Sequence, residues 1–182
     1  MKQLFAPWRL DYIIGAREAG CIFCKKPGEA GRERENLIVH AGDAAFVILN
    51  RFPYNAGHIM VVPRRHTSDF ASLSPQENAE LSELLQHGIE TLRHVFRPEG
   101  FNVGLNLGHA AGAGIDDHLH WHIVPRWSGD TNFLPIFSDT RSVPQALEAT
   151  WDALAPTFRA RVAPAATAQD APRKQSAQRR GD

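Results

Sequence analysis

At residues 117–126 the chain reads Asp-His-Leu-His-Trp-His-Ile-Val-Pro-Arg, which places His118, His120 and His122 at every second position of an apolar, β-prone run. A strand turns alternate side chains to opposite faces. The spacing therefore predicts that the three imidazoles share one face while Leu119, Trp121 and Ile123 occupy the other. Histidine is neither a favoured strand former nor a cheap group to bury unpaired. Such a row asks for a use, and imidazole offers three: nucleophile, acid or base near neutral pH, or metal ligand. The plain alternative is an edge strand whose polar face happens to be histidine.

The remaining elements are read from punctuation and period. Leu37 to Val39 and Ala45 to Asn50 read as short strands around a turn at Gly42 and Asp43, and Pro53 to Gly57 as a second turn. The run His58 to Pro63, nearly all apolar and closed by proline, reads as a buried strand. Ser74-Pro75-Gln76-Glu77 is a capping box with proline at the first helical position. Leu81, Leu84, Leu85, Ile89, Leu92, Val95 and Phe96 follow it at helical spacing, with Glu80, Glu83 and Glu90 mostly outside the stripe; Pro98 and Gly100 end the helix. Phe101 to Leu107 returns as a strand, and a Gly/Ala-rich loop spans Gly108 to Gly114. A second helix is expected over about 143–160 through Leu147, Trp151, Leu154 and Phe158, with Pro156 as a break or kink.

With 182 residues, 43% of them hydrophobic, the chain can bury one good core and is short for two. We expect one domain over 1–161: an arm at 1–20 carrying Trp8 and Tyr12, a core at 21–140, and the second helix. Residues 162–182, rich in Ala, Pro, Gln and Arg, read as a disordered tail. Twenty basic residues balance twenty acidic ones. No global field recruits nucleic acid or an anionic membrane, and a phosphate-bearing ligand must be held locally. No apolar run spans a bilayer and the first residues lack a signal-peptide core, so a cytoplasmic protein is expected. The two cysteines, Cys21 and Cys24, are too few for a disulfide framework and spaced as a metal clip.

The motif at 118–124, His-Leu-His-Trp-His-Ile-Val, resembles the signature of the histidine-triad family of nucleotidyl hydrolases and transferases. The segments 46–50 and 57–63, the Arg64-Arg65-His66 element and 102–112 match the same family. The resemblance implies an α+β fold, an antiparallel sheet of about five strands with the long helix across it, assembled as a homodimer. It implies that His120 attacks the α-phosphorus of a nucleotide to form a nucleotidyl-histidine. His122 then contacts phosphate oxygens or aids proton transfer, and His58 faces the same phosphate, unless it is only a satisfied strand-start residue. Asn50 and Asn106 match ribose and phosphate-chain contacts, with turn or strand-end roles as the alternative. Gly108, Gly112 and Gly114 offer backbone donors to phosphate. No Gln or Ser precedes the triad as in the fragile-histidine branch; Ala113, Ile115, Asp116 and Asp117 stand there.

Metal-containing relatives, including galactose-1-phosphate uridylyltransferases, imply a structural zinc at Cys21, Cys24, His66 and His118, forming an N-terminal zinc-binding arm; a reduced dithiol without metal is the alternative. Residues 125–133 resemble the branch of bacterial diadenosine tetraphosphate phosphorylases. That implies a phosphorylase or hydrolase of adenosine polyphosphates. A nucleoside phosphoramidase and a nucleotide-binding sensor without turnover remain as alternatives.

Overall fold

A computed structural model describes residues 20–130 and 146–162 of the chain. Residues 1–19 of the expected arm at 1–20, the helix start at Ser142 and residues 163–182 of the expected tail lie outside the described residues; Val162, expected to open the tail, instead ends the last helix. Five strands form one antiparallel sheet: β1 (Ile38–Ala41), β2 (Ala45–Leu49), β3 (Ile59–Pro63), β4 (Gly100–Leu105) and β5 (Trp121–Arg126), in the order β1-β2-β3-β5-β4. Every residue of β2 and β3 is buried, as expected for unbroken apolar runs covered on both faces.

The long helix α2 (Pro75–Phe96) follows the short α1 (Ile22–Lys25) in the chain. It begins with the expected capping box: the Glu77 amide donates to Ser74 Oγ at 3.2 Å and the Ser74 amide to Glu77 Oε2 at 2.7 Å. It ends where Arg97 turns left-handed (φ 50°) just before Pro98. Leu81, Leu84, Gly88, Thr91 and Leu92 face the sheet. Gly88 sets how close the helix lies, because a Cβ there would stand 2.8 Å from Ile123 Cδ1 and 3.0 Å from Ile59 Cδ1. Glu80 does more than face solvent: its carboxylate accepts the amides of Ala44 and Ala45 and ties the β1–β2 turn to the helix.

Helix α3 (Leu147–Val162) lies beside α2 and over β1, where Trp151 Nε1 donates to the Ile38 carbonyl at 2.8 Å and Arg159 Nε to that of Val39 at 3.0 Å. Pro156 does not break it. Burial of Leu154, Ala155 and Phe158 around the proline offsets the one backbone bond a mid-helix proline forfeits.

Ile59 and Ile123 point at α2, so their neighbours Met60 and His122, which pair across β3 and β5, point at the opposite face. Phe23 of α1 reaches into this second face, its ring centroid 6.4 Å from that of Phe46.

Two expectations about strand limits need correction. β4 ends at Leu105 rather than 107, and β5 begins only at Trp121, so His122 alone of the three histidines lies on a regular strand. The reason is competition for backbone partners. The Pro63 carbonyl is taken by the His118 ring, and the Leu119 amide donates instead to Thr67 O at 2.8 Å, so His118 and His120 form an extended lead-in pinned beside the end of β3.

Candidate active site

His120 sits at the centre. Its Nδ1 lies 2.9 Å from the His118 carbonyl oxygen, which can only accept, so Nδ1 carries the ring proton and Nε2 keeps its lone pair. The ring is enclosed, with the Phe23 centroid 5.2 Å away, rather than displayed on an open strand face. Burial pushes its pKa below the usual imidazole value while the His118 carbonyl pulls the other way. Desolvation favours the neutral ring a nucleophile needs.

His122 packs edge-on against His120, ring centroids 4.9 Å apart, and its Nδ1 lies 2.9 Å from His58 Nε2. The partners of His58 assign the proton between them. The Tyr54 backbone amide donates to His58 Nδ1 at 3.1 Å, and Asn50 Nδ2 lies 3.4 Å from the same atom. With Nδ1 accepting, His58 carries its proton on Nε2 and donates it to His122 Nδ1, which leaves His122 with its own proton on Nε2. Burial, then the neighbouring His122 and His120, lower the pKa of His58 to about 3. Burial, then His120, lower that of His122 to about 4. Both rings are neutral at cellular pH, so this is a relay of neutral imidazoles.

Local structure delivers these groups. Gly57 (φ +77°) lets the β2–β3 turn close onto α2, since a Cβ there would be 3.0 Å from Leu92 and Phe96, and the next residue is His58. The Tyr54 ring covers both imidazoles, its centroid 4.9 Å from that of His58 and 6.1 Å from that of His122. On the other flank, β4 places Gly104 opposite His122; a Cβ on Gly104 would meet nothing within 4 Å among the described residues, which leave the sheet face open beside the ring.

At the other end of the run, His118 is 1% exposed and its Nε2 donates to the Pro63 carbonyl at 2.8 Å, freeing Nδ1 as a ligand atom. That Nδ1 stands 3.3 Å from Cys21 Sγ, 3.7 Å from Cys24 Sγ and 3.2 Å from His66 Nδ1, and His66 Nδ1 is 3.3 Å from Cys24 Sγ. Tetrahedral zinc with bonds of about 2.0 to 2.3 Å requires ligand–ligand edges of about 3.3 to 3.8 Å, so this donor set fits such an ion. Cys21, Cys24, His66 and His118 all lie within 4.8 Å of one another and can hold a metal. His66 Nε2 is 3.7 Å from Asp117 Oδ2, near it but beyond hydrogen-bond distance.

Asn50 stands at the end of β2, where its Oδ1 accepts the Phe52 amide at 2.9 Å and shapes the turn, besides its contact with His58. Asn106 is half-buried, one position past Leu105, which pairs with Trp121. Gly112 and Gly114 lie in the exposed loop; the amides of Ala111 and Gly112 are bound to the carbonyls of Gly108 and His109, which close the loop's own turn. Sequence reasoning missed Phe23, the cover of His118 and His120, and the site-facing role of Tyr54. A turn residue next to a buried histidine strand was the available signal for Tyr54.

Among the described residues no helix is long and apolar enough to cross a membrane. The HIT domain profile matches residues 31–129, from the approach to β1 through the residues after β5. The chain is 40% identical over 159 residues to the AP-4-A phosphorylase of Mycobacterium tuberculosis, covering 82% of this chain and 80% of that one. Its fold is similar to that of a hypothetical histidine triad nucleotide-binding protein from Sulfolobus tokodaii (TM-score 0.59, 22% identity, 77% of this chain and 93% of the other). A zinc-bound histidine triad family protein from Mycobacterium smegmatis is also similar (TM-score 0.56, 26% identity, 68% and 84%). The chain belongs to the histidine-triad (HIT) family. It is an enzyme of that family, which consists mostly of nucleotide hydrolases and transferases.

Proposed function

We propose that this enzyme cleaves diadenosine tetraphosphate or a similar adenosine polyphosphate through a covalent nucleotidyl-histidine. His120 Nε2 attacks the α-phosphorus; the N–P bond forms as the bond to the bridging oxygen breaks and ATP leaves. His122, with its proton on Nε2, donates to the phosphate oxygens where negative charge grows. Inorganic phosphate then displaces the histidine to give ADP, or water displaces it to give AMP, and His120 is regenerated. The carrying observation is the hydrogen bond from His120 Nδ1 to the His118 carbonyl, which leaves Nε2 as the nucleophilic atom beside a donor-bearing His122. The named activity of the Mycobacterium tuberculosis relative supports phosphorolysis over hydrolysis.

Zinc is the metal we assign to Cys21, Cys24, His66 and His118; its chemistry is structural, cross-linking α1 to the lead-in that carries the nucleophile. Ligating thiolates suit a reducing, cytoplasmic compartment. We also assign Asn50, Asn106, Gly112 and Gly114 to the nucleotide, and a homodimer through β4, an edge strand with Val103 exposed.

The test is to incubate pure protein with diadenosine tetraphosphate, with and without inorganic phosphate. ADP plus ATP in the presence of phosphate is expected. AMP plus ATP regardless of phosphate means hydrolysis, and dinucleotide recovered intact overturns the proposal in favour of a sensor.

A further inference from the structure

Beyond the histidines lies a polar bracket that the reaction itself does not use. Asn55, in the β2–β3 turn, directs its side-chain amide at two acceptors, the Pro125 carbonyl near the end of β5 at 2.9 Å and Oδ2 of Asp130 in the turn after it at 2.7 Å. An amide nitrogen carries two hydrogens, so this donor set is fully used. Asp130 is held in turn. Its carboxylate receives Arg126 Nε at 2.6 Å and Arg126 Nη2 at 2.9 Å, a bidentate pair, and also the Trp127 amide at 3.1 Å. Arg126 reaches on to Asn102 Oδ1 of β4 at 2.7 Å. The Asp130 side chain is only 11% exposed, so these charge-assisted bonds are partly shielded from water.

The bracket matters because of what the turn presents. The residue before Asn55 is Tyr54, whose backbone amide selects the tautomer of His58, and the Asn55 carbonyl itself accepts the His58 amide at 3.2 Å. We propose that Asn55 and Asp130 are positioning residues of the histidine site: by clamping the β2–β3 turn to the end of β5 they hold the Tyr54 amide on His58 Nδ1 and thereby set, through His58, the tautomer and orientation of His122. The proposal rests on the role given to His122 above. Release of the turn withdraws the shorter of the two contacts on His58 Nδ1 and leaves only Asn50 Nδ2 at 3.4 Å, which lets His58 shift its proton toward Nδ1. Its Nε2 then becomes an acceptor, His122 loses the donor that fixes it, and the proton aimed at substrate is no longer held in place.

The test combines two readouts on Asn55→Ala. In protein labelled with 15N at histidine, long-range 1H–15N spectra report which ring nitrogen carries the proton. The full chain is expected to show His58 and His122 each protonated on Nε2, and the variant to show both signals shifted toward mixed tautomers. Turnover should fall about 10-fold or more in kcat with KM changed less than about 3-fold, since the substrate-contacting groups remain and only their alignment is lost. Asp130→Asn, which keeps the volume but removes the charge, should show the same spectral change if Asn55→Ala does not fold. Unchanged tautomers in a folded variant overturn the proposal. Absence of turnover in the unmodified protein would instead overturn the assigned reaction, leaving the spectra as the test of the bracket.

Discussion

The two ends of the histidine run are held by different chemistry. At His118 the ring is fixed by one backbone carbonyl and by a cluster of two thiols and a second imidazole that can hold a metal ion. At His122 no metal is called for. The ring leans on His58, which leans on a backbone amide, so every link is a neutral hydrogen bond in a desolvated place. His120 lies between, joined to the first end through the His118 carbonyl and to the second by ring packing. The lesson is one of separable supports: the first end fixes where the His120 ring stands, and the second fixes the orientation of the His122 ring, to which the proposed reaction gives the proton.

Substituting His120 itself breaks both halves at once and should have the largest effect. His120→Asn keeps much of the volume under Phe23, yet removes the nitrogen to which the proposal gives the attack, and we expect turnover to drop by about a thousand-fold or more. Steady-state kinetics checks this, with His120→Gly partly rescued by added imidazole. Near-normal turnover by the Asn variant would demote His120 to a phosphate contact.

If the cluster holds zinc as proposed, stripping it should damage the first end alone. We expect about one zinc per chain by elemental analysis, and a fall in Tm of roughly 10 °C on chelation or in Cys21→Ser. The histidine tautomers at His58 and His122 should survive the same treatment. Protein prepared without chelators that contains no zinc would refute the assignment.

Acid should separate the ends in a different way. His58 and His122 titrate at about 3 and about 4 in the fold, below the ordinary value of 6.5 that the unfolded chain regains. As pH falls through 6.5 the unfolded chain takes up protons before the folded one does, so the stability tied to these rings is full above that value and is lost progressively toward pH 4 and below. Urea midpoints of chelator-treated protein between about pH 7.5 and 4.5 should fall with pH, and His122→Asn should flatten the dependence. A flat profile in the unmodified chain would mean the rings are not buried neutral.

The mildest test concerns the open flank. Gly104→Leu puts a side chain beside His122 where no other described residue stands, so KM should rise about 3- to 10-fold with Tm nearly unchanged. An unaltered KM would move the substrate to the other side of the ring.

Much of the frame was legible along the chain. The capping box at Ser74, the apolar run into Pro63 and the histidine alternation are local signals whose physics acts over a few residues, and each element stands close to where it was expected. The departures came from long-range competition. β5 starts late because the His118 ring takes the Pro63 carbonyl, 55 positions away in sequence. Pro156 stays inside α3 because packing of its neighbours outweighs its propensity.

The same division runs through the site. Residue types and spacing alone determined that imidazoles would line up with a dithiol elsewhere in the chain, because alternation and the Cys-x-x-Cys interval are properties of adjacent residues. Only the tertiary structure decided that Cys21 meets His118 across 97 positions, that Phe23 encloses His120, and that Asn55 meets Asp130 across 75. Protonation belongs to that second group as well. Which nitrogen of a histidine carries the proton depends on the donor or acceptor facing it, and those partners are brought by folding from distant parts of the chain.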